Sequence, residues 1–235
     1  MKAALIAAGT GERLRAAGVR TPKPLLPVAG IPLVDRVLDA VTAVGIHEVA
    51  CIFNLDADAV EAHCRRAHPS LTLHVVRRNT PSSMESLFAL QPHLNDDRFL
   101  LLTVDAVFGP TLLPSLLRQA ARLEDADGVL GVHEFVDDEK PLRVKLDGHR
   151  RIVGLGDDAA ECPTITAGLY VLSSRIFTEI EAARRANLTA LRHFLHHLVR
   201  QDYRLYGVPV EKTVDVDRPE DITAAEAFVA GGFAA

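Results

Sequence analysis

The sequence predicts an α/β protein whose single domain contains a doubly wound, mostly parallel mixed sheet. Two observations support this fold class: strand and helix patterns alternate along the chain, and the strands are short apolar runs typical of burial on both faces. The length of 235 residues suits one such domain. In doubly wound sheets, ligands bind outside the carboxyl ends of the strands, so polar residues at those ends are the first candidates for a site.

The first half of the chain supplies four strands and three of the helices. The predicted strands are Lys2 to Ala7, Glu48 to Phe53, Leu71 to Val76 and Arg98 to Val104. The last of these, RFLLLTV, is the most apolar run in the chain and is predicted to be the central strand. The predicted helices are Leu33 to Val44, Asp56 to His68 and Met84 to Leu94, the first of them with an apolar residue every three or four positions.

The second half continues the alternation. It contains a helix from Leu112 to Leu123, a strand in GVLGVHEF, a hairpin in Pro141 to Val153 around Asp147-Gly148, and a strand from Thr164 to Val171. A last helix begins in Arg218-Pro219-Glu220-Asp221, where proline and acidic residues suit a first helical turn. We expect one domain over 1–235, with a first part in about 1–110, a second part in about 111–215 and a closing helix in 218–230.

Composition excludes several classes of protein. The net charge of −5 and the lack of any run of five basic residues argue against nucleic acid as a partner. No apolar run approaches the ~18 residues of a membrane span. The apolar run at the amino terminus is too short for the hydrophobic region of a signal peptide. Three cysteines, none in a C-x-x-C pair, indicate reduced packing residues of a cytoplasmic protein. Monomer and homo-oligomer both stay open.

The segment LIAAGTGERLRAAGVRTPKPLLPVAGIP, residues 5–32, is the most informative stretch. After the first strand, Ala8, Gly9, Thr10 and Gly11 form a turn in which the lack of glycine Cβ atoms lets backbone N–H groups approach phosphate oxygens. A Gly-x-Gly turn by itself is more often only a tight turn. The spacing of a P-loop is absent, and Leu14 stands where a dinucleotide-binding motif would have its third glycine.

Two cations follow this turn. Arg13 can donate to two phosphate oxygens at once, and Lys23, between two prolines that stiffen its loop, supplies a compact positive charge. The combination G-x-G-x-R and P-K-P-L-L-P-V-A-G-x-P resembles the signature of the sugar-phosphate nucleotidyltransferases, in the nucleotide-diphospho-sugar transferase superfamily. The resemblance implies transfer of a nucleoside monophosphate from a nucleoside triphosphate to a phosphorylated acceptor, with release of pyrophosphate. It also implies that Arg13 and Lys23 stabilise the α-phosphoryl transition state and the leaving pyrophosphate.

Two aspartates are candidate metal ligands. Asp105 follows the predicted central strand, and Asp217 lies in VDVDRPED before the last helix. Either carboxylate has a structural alternative, Asp105 as a turn cap and Asp217 as a helix N-cap. In the family that the sequence resembles, aspartates at these places bind the catalytic metal, which implies Mg²⁺ on Asp105 and Asp217 with Asp215 in support. Two carboxylates leave Mg²⁺ positions for water and phosphate oxygens.

Nucleotide recognition is expected in Asn79 to Ser86, where Asn79, Ser83 and Ser86 supply small hydrogen-bonding groups at a helix start. Capping of that helix is the alternative. The Ser-x-x-Ser-Leu pattern is similar to the branch of the family that uses CTP with choline phosphate or inositol phosphate, and the base stays open.

The resemblance also implies that about 1–110 is the nucleotide-binding part of the domain and about 111–215 the acceptor-binding part. In the acceptor-binding part it implies Thr166 and Gly168, in the strand TITAGLYV. Lys212 is a candidate for the acceptor phosphate and is preferred to Lys145, because it lies three residues before Asp215.

Three other functions are weighed. A glycosyltransferase would use Asp215-Val216-Asp217 as a metal-binding D-x-D, but such enzymes lack the loop of Arg13 and Lys23. A molybdopterin nucleotidyltransferase shares the glycine turn but lacks the long P-L-L-P-V-A-G-x-P continuation. A non-catalytic nucleotide sensor would not need all four charged residues.

Three histidines, His193, His196 and His197, fall on one predicted helix. Their spacing is not H-E-x-x-H, so the sequence does not predict a metal site there. We interpret them as part of a partly buried helix face.

Overall fold

A computed structural model of the chain describes residues 1–95, 97–135 and 141–233. The strands are β1 (Lys2–Ala7), β2 (Pro27–Val28), β3 (Ile31–Pro32), β4 (Glu48–Phe53), β5 (Thr72–Arg77), β6 (Arg98–Thr103), β7 (Ala106–Phe108), β8 (Gly128–His133), β9 (Val144–Leu146), β10 (Ile152–Leu155), β11 (Ile165–Ser173), β12 (Leu205–Pro209) and β13 (Thr213–Asp215). The helices are α1 (Glu12–Ala16), α2 (Leu33–Ala43), α3 (Asp58–Ala67), α4 (Ser83–Leu90), α5 (Leu112–Ala120), α6 (Ile180–Arg185), α7 (Leu191–Arg200) and α8 (Pro219–Ala230).

Seven strands form the main sheet in the order β12-β8-β11-β6-β1-β4-β5. Strand β11 runs antiparallel to β6 and β8, and the remaining neighbours pair in parallel. Strand β6 is the fourth of the seven, which confirms the prediction of a central strand. The mostly parallel mixed sheet of a single α/β domain is confirmed as well. Each parallel strand ends at the same edge of the sheet, and the loops after β1, β4, β6 and β8 therefore meet there.

Two hydrophobic clusters cover the two faces of the sheet. One joins the sheet to α2, α3, α5 and α8, and the other joins it to α4, α6 and α7. Strand residues alternate between the clusters: Leu100 and Leu102 belong to the first, and Phe99 and Leu101 to the second. Both faces are thus buried, which is why the central strands read as continuous apolar runs.

Two small ladders stand outside the main sheet. Strands β2 and β3 pair around Ala29 and Gly30, both of which have positive φ, as a two-residue hairpin turn requires. Strands β7 and β13 pair antiparallel with Asp215 opposite Ala106. This second ladder joins segments that are far apart in sequence, directly beyond the end of the central strand.

The predicted elements are present, with shifts of a few residues at their ends. The hairpin predicted around Asp147-Gly148 is formed by β9 and β10, and Asp147 Oδ1 accepts backbone N–H bonds from His149 (2.8 Å) and Arg151 (2.9 Å) within its loop. Strand β12 and helix α6 were not predicted. Within the described ranges, the helices are all too short or too polar to cross a bilayer.

Candidate active site

Four charged side chains from distant parts of the chain meet at the carboxyl edge of the sheet. Lys23 Nζ lies 2.7 Å from Asp105 Oδ2 and 2.5 Å from Asp217 Oδ1. Arg13 Nη1 lies 3.3 Å from Asp217 Oδ2. The Lys23 side chain is only 9% exposed, whereas that of Arg13 is 53% exposed. One cation is therefore enclosed between the carboxylates, and the other remains open to solvent.

The β7–β13 ladder explains how the two aspartates come together. Asp105 lies in the turn between β6 and β7, and Asp217 follows β13. The ladder continues by one bond beyond its paired residues, because the Val216 N–H donates to the Asp105 carbonyl at 3.0 Å. Asp217 is the next residue, so its carboxylate reaches the same lysine.

Helix α8 does not use Asp217 as its cap. Its N-cap is Arg218, with Pro219 at the first helical position, and the capping carboxylate is Asp221. Asp221 Oδ2 accepts backbone N–H bonds from Asp217 (2.8 Å) and Arg218 (2.7 Å). The alternative of Asp217 as an N-cap is therefore wrong, and its carboxylate faces Lys23 and Arg13 instead.

The cluster keeps its charges. Burial lowers the pKa of the Lys23 ammonium, but the charges and hydrogen bonds of Asp105 and Asp217 outweigh burial and raise that pKa above its ordinary value. Burial likewise raises the pKa of the Asp105 carboxyl. The Lys23 charge, together with hydrogen bonds from Lys23 and Thr103, reverses this effect and holds that pKa below its ordinary range. At neutral pH the Lys23 ammonium and the Asp105 carboxylate are therefore both charged.

This donor set fits a divalent cation. Two carboxylates from separate segments converge within hydrogen-bonding distance of one point, now taken by the Lys23 ammonium. Carboxylate oxygens are preferred ligands of Mg²⁺, which commonly takes one or two of them and fills its other positions with water and phosphate oxygens. Within the described ranges, histidine, cysteine and carboxylate side chains form no group of three with metal-binding geometry. A cation here would thus depend on the two aspartates and a bound ligand.

The glycine turn lies beside this cluster. Ala8 is buried at the end of β1, and Gly9 and Thr10 are exposed. Gly11 has φ +62°, and a Cβ built there would lie 3.5 Å from Lys23 Cβ. A side chain at Gly11 would thus be strained in the backbone, although its Cβ would make only an ordinary contact with Lys23. The turn therefore lies directly beside Lys23.

The Asn79–Ser86 segment serves partly as a cap. Ser82 Oγ accepts the Glu85 N–H at 3.3 Å, and the buried Ser86 Oγ bonds Thr80 Oγ1 at 2.6 Å and the Ser82 carbonyl at 3.1 Å. Asn79 Oδ1 accepts the Leu55 N–H at 3.1 Å, which joins this segment to the loop after β4. Ser86 therefore holds the loop from inside, whereas Asn79 and Ser83 are exposed.

A cavity of about 340 Å³ opens on the other side of Asp217. Its lining comes from α1, the ends of β8 and β11, strand β13 and the start of α8: Arg13, His133, Phe135, Ile165, Thr166, Thr213, Val214, Asp215, Asp217, Arg218, Glu220, Asp221 and Ala224. The cavity shares Arg13 and Asp217 with the charged cluster. A molecule in it would therefore lie against both.

The candidate acceptor residues are placed differently from one another. Thr166 lines the cavity, and so does Asp215. Gly168 has φ +76° in the irregular stretch of β11 and faces Thr103, whose Oγ1 would lie 3.9 Å from a Cβ at this position. Among the described residues, the cavity lining includes neither Gly168 nor Lys212. The predicted role of Lys212 thus finds no support in the shape of this cavity.

Sequence reasoning missed His133, Phe135 and Thr213 as lining residues. His133 and Phe135 lie in and after an apolar strand, where a lone ring is typical of core packing. The signal available was position: both come at the carboxyl end of a strand, where sites in this class of fold lie. The histidines of α7 bond instead to polar neighbours, His196 to Asp158 (2.6 Å), His197 to Glu179 (2.8 Å) and His193 to Thr189 (3.3 Å).

Comparisons with known proteins identify the family. The sequence model of the MobA-like NTP transferase domain matches residues 3–202. The chain belongs to this family of NTP transferase domains. The inositol-1-phosphate CTP transferase from T. maritima superposes with a TM-score of 0.83 at 20% sequence identity, over 100% of this chain and 98% of that one. That likeness shows the shared fold.

Two curated proteins are similar to this chain in sequence over most of its length. The chain is 31% identical over 228 residues to the CMP-5'-(3-aminopropyl)phosphonate synthase of Streptomyces rubellomurinus, covering 88% of this chain and 33% of the relative. It is 27% identical over 237 residues to the bifunctional IPC transferase and DIPP synthase of Rubrobacter xylanophilus, covering 97% of this chain and 52% of the relative. The chain thus spans a third of the first relative and about half of the second.

Proposed function

We propose that the protein transfers a nucleoside monophosphate from a nucleoside triphosphate to a phosphate or phosphonate oxygen of a small acceptor and releases pyrophosphate. The observation that carries this proposal is the meeting of Arg13 and Lys23 with Asp105 and Asp217 at one edge of the cavity. Cations for a polyphosphate and carboxylates for a metal are both needed for this reaction.

The triphosphate is assigned to the turn of Ala8, Gly9, Thr10 and Gly11. Exposed backbone N–H groups there can donate to phosphate oxygens, and Arg13, two residues after Gly11, can donate to two oxygens at once. Lys23 packs against the same turn and adds the second positive charge. Together these groups neutralise the charge that develops on the α-phosphoryl group and on pyrophosphate as it leaves.

We assign Mg²⁺ to Asp105 and Asp217. When bound, the ion would help neutralise the triphosphate. The acceptor lies in the cavity, with its anionic oxygen directed by Arg13 toward the α-phosphorus. That oxygen forms the new bond to phosphorus while the bond to the pyrophosphate oxygen breaks, in line with it. The attacking oxygen is already ionised, so the protein needs no general base, and its task is to hold two anions together.

We further propose CTP as the donor and the cytoplasm as the place of action. The names of the Streptomyces relative and of the T. maritima structural neighbour both specify a cytidine nucleotide. Asn79 is exposed, and its Oδ1 accepts the Leu55 N–H. Its side-chain N–H₂ group can therefore donate to a carbonyl of the base. The three free cysteines suit a reducing compartment.

A pyrophosphate-release assay tests the proposal. The full chain is given each of the common nucleoside triphosphates with Mg²⁺ and a pool of sugar, polyol and amino-alcohol phosphates and phosphonates. We expect release that requires both Mg²⁺ and acceptor and is fastest with CTP. Arg13→Ala should lower kcat/KM by about 100-fold or more, whereas Arg15→Ala, on the same short exposed helix, should change it little. Absence of acceptor-dependent release with every triphosphate would refute the function.

A further inference from the structure

Helix α4 begins with one half of a capping box. Its first residues, Ser82-Ser83-Met84-Glu85, place a serine and a glutamate at the spacing that such a box requires. Ser82 Oγ accepts the Glu85 N–H at 3.3 Å, which is the first half. In the second half the glutamate would accept the N–H of the capping serine, but the Glu85 carboxylate bonds an arginine of α6 instead.

That arginine is Arg184, which is 99 residues away from Glu85 in the chain. Its Nε lies 3.0 Å from Glu85 Oε1 and its Nη2 lies 2.9 Å from Glu85 Oε2, so the guanidinium binds both carboxylate oxygens. Arg184 also lies over the Phe88 ring, with Cζ 5.7 Å from the ring centroid, and its Nη1 donates to Glu181 Oε1 at 3.3 Å. The Glu85 carboxylate is thus held in one orientation.

The carboxylate is charged in this orientation. The bonds from Arg184 lower the pKa of the Glu85 carboxyl below its ordinary value, although partial burial opposes them. The charge of Arg78, which directly follows β5, acts in the same direction. A negative charge therefore lies at the first turn of α4 and is directed toward α6.

The orientation matters because of the loop that precedes α4. This loop, from Asn79 to Ser82, belongs to the segment assigned to the nucleotide, and it ends at the first helical turn. The start of a helix carries a partial positive charge that attracts a carboxylate in its first turn. Without Arg184, the Glu85 side chain would be free to complete the box on the Ser82 N–H and would bring its negative charge to the loop.

We propose that Arg184 is a positioning residue for nucleotide binding, which holds the Glu85 carboxylate away from the loop of Asn79 to Ser82. The proposal rests on the proposed nucleotidyl transfer and adds a residue to it. A nucleoside triphosphate is a polyanion, so a carboxylate turned toward this loop would weaken its binding. The competing explanation is that the pair of Arg184 and Glu85 only joins α4 to α6.

The test measures kcat and KM for the triphosphate that gives the fastest pyrophosphate release, expected to be CTP, with Mg²⁺ and saturating acceptor. Arg184→Ala frees the carboxylate, and we expect KM to rise about tenfold with little change in kcat. Glu85→Ala removes the carboxylate, and KM should stay within about threefold of the wild type. Adding Arg184→Ala to Glu85→Ala should then raise KM no further, because no carboxylate is left to hold.

Urea unfolding separates positioning from bracing. Arg184→Ala, Glu85→Ala and the double variant all lose the ion pair, so all three should unfold at a lower urea concentration than the wild type. KM should rise in the first of them only. Arg184→Lys keeps a cation for the carboxylate and should keep KM near the wild type. Arg185→Ala, at the next and exposed position of α6, is the matched control and should not change KM.

Two results would overturn the inference and leave nucleotidyl transfer standing. One is an unchanged KM in Arg184→Ala, and the other is a KM that rises equally in Arg184→Ala and Glu85→Ala, as expected of a pair that only joins two helices. Absence of turnover by the wild type with every triphosphate would instead remove the proposed function, and the role of Arg184 would fall with it.

Discussion

The two ends of the central strand β6 hold cations in opposite ways. At its amino end, Arg98 donates to three backbone carbonyls of one neighbouring turn, those of Ala120 (3.0 Å), Leu123 (2.5 Å) and Ala126 (2.7 Å). At its carboxyl end, Lys23 donates to two carboxylates that come from segments 82 and 194 residues away in the chain. Both cations are at least partly buried.

The difference separates a structural cation from an exchangeable one. The carbonyls around Arg98 are neutral and belong to the fold, so the guanidinium satisfies groups that would otherwise be buried without partners. Two carboxylates meet Lys23, and one of them also meets Arg13. Under the proposed function we expect Mg²⁺ to take the place of the ammonium between the two carboxylates. We therefore expect changes at the carboxyl end to alter chemistry and changes at the amino end to alter stability.

The largest effect is expected from Asp105→Asn. Removing this charge takes away half of the proposed carboxylate pair, and we expect pyrophosphate release to fall by about 1,000-fold. The measurement is kcat/KM under the conditions that support the wild type. Because asparagine has nearly the same shape, circular dichroism should show an unchanged fold. Activity near that of the wild type would remove Asp105 from the site.

The opposite result is expected from Arg98→Ala. Three carbonyls lose a charged donor, and we expect the free energy of unfolding to fall by about 2 kcal/mol. Urea unfolding monitored by circular dichroism measures the loss, and kcat/KM per folded molecule should stay unchanged. Arg118→Ala, on the exposed face of α5, is the matched control and should cost less than about 0.5 kcal/mol. A loss of activity without a loss of stability would break the distinction between the two ends.

Much of the fold was predictable from local pattern. The apolar runs of the parallel strands and the stripe of Val34, Val37, Leu38 and Val41 are set by burial, which leaves a direct trace in sequence. The antiparallel direction of β11 leaves no such trace, because a strand buried on both faces looks alike in either direction. Strand β12 was missed for a different reason: its sequence, LYGVP, contains a glycine and a proline, which are typical of a turn.

Some residues of the candidate site were also predictable from local pattern, and others were not. Arg13 and Lys23 could be found because they lie in one long signature, and Asp105 because it ends the most apolar strand. The meeting of Asp105 with Asp217 depends on the β7–β13 ladder, which pairs segments more than 100 residues apart, and no local pattern specifies such pairing. Phe135 and His133 were missed as lining residues because the cavity forms where β8 meets β13, and His133 and Thr213, 3.2 Å apart there, are 80 residues apart in the chain.

A third prediction sharpens the notion of an exchangeable cation. Lys23→Met keeps the length of the side chain and removes its charge, which leaves Asp105 and Asp217 without the ammonium between them. In the absence of nucleotide, Mg²⁺ should then bind about tenfold more tightly than to the wild type, where it must displace the lysine. Isothermal titration calorimetry measures this change. Lys2→Met, at the other end of the sheet, should leave the affinity unchanged; weaker binding by Lys23→Met would contradict the exchange.

The smallest expected effect is a loss of folding stability at low pH. The pKa of Asp105 is held below its ordinary value, because Lys23 and Thr103 outweigh the opposing effect of burial. The unfolded chain therefore takes up this proton at a higher pH than the folded protein does. The stability that the pair contributes is complete above about pH 5 and is lost as the pH falls through the folded pKa.

Unfolding free energies without Mg²⁺, measured from pH 7 to pH 3, follow this loss. The advantage of the wild type over Asp105→Asn should shrink as the pH falls, whereas its advantage over Arg98→Ala should stay constant, because neither a guanidinium nor a carbonyl titrates in that range. If the two differences changed in parallel, the charge of Asp105 would contribute no more to folding than the neutral acceptors at the other end of β6.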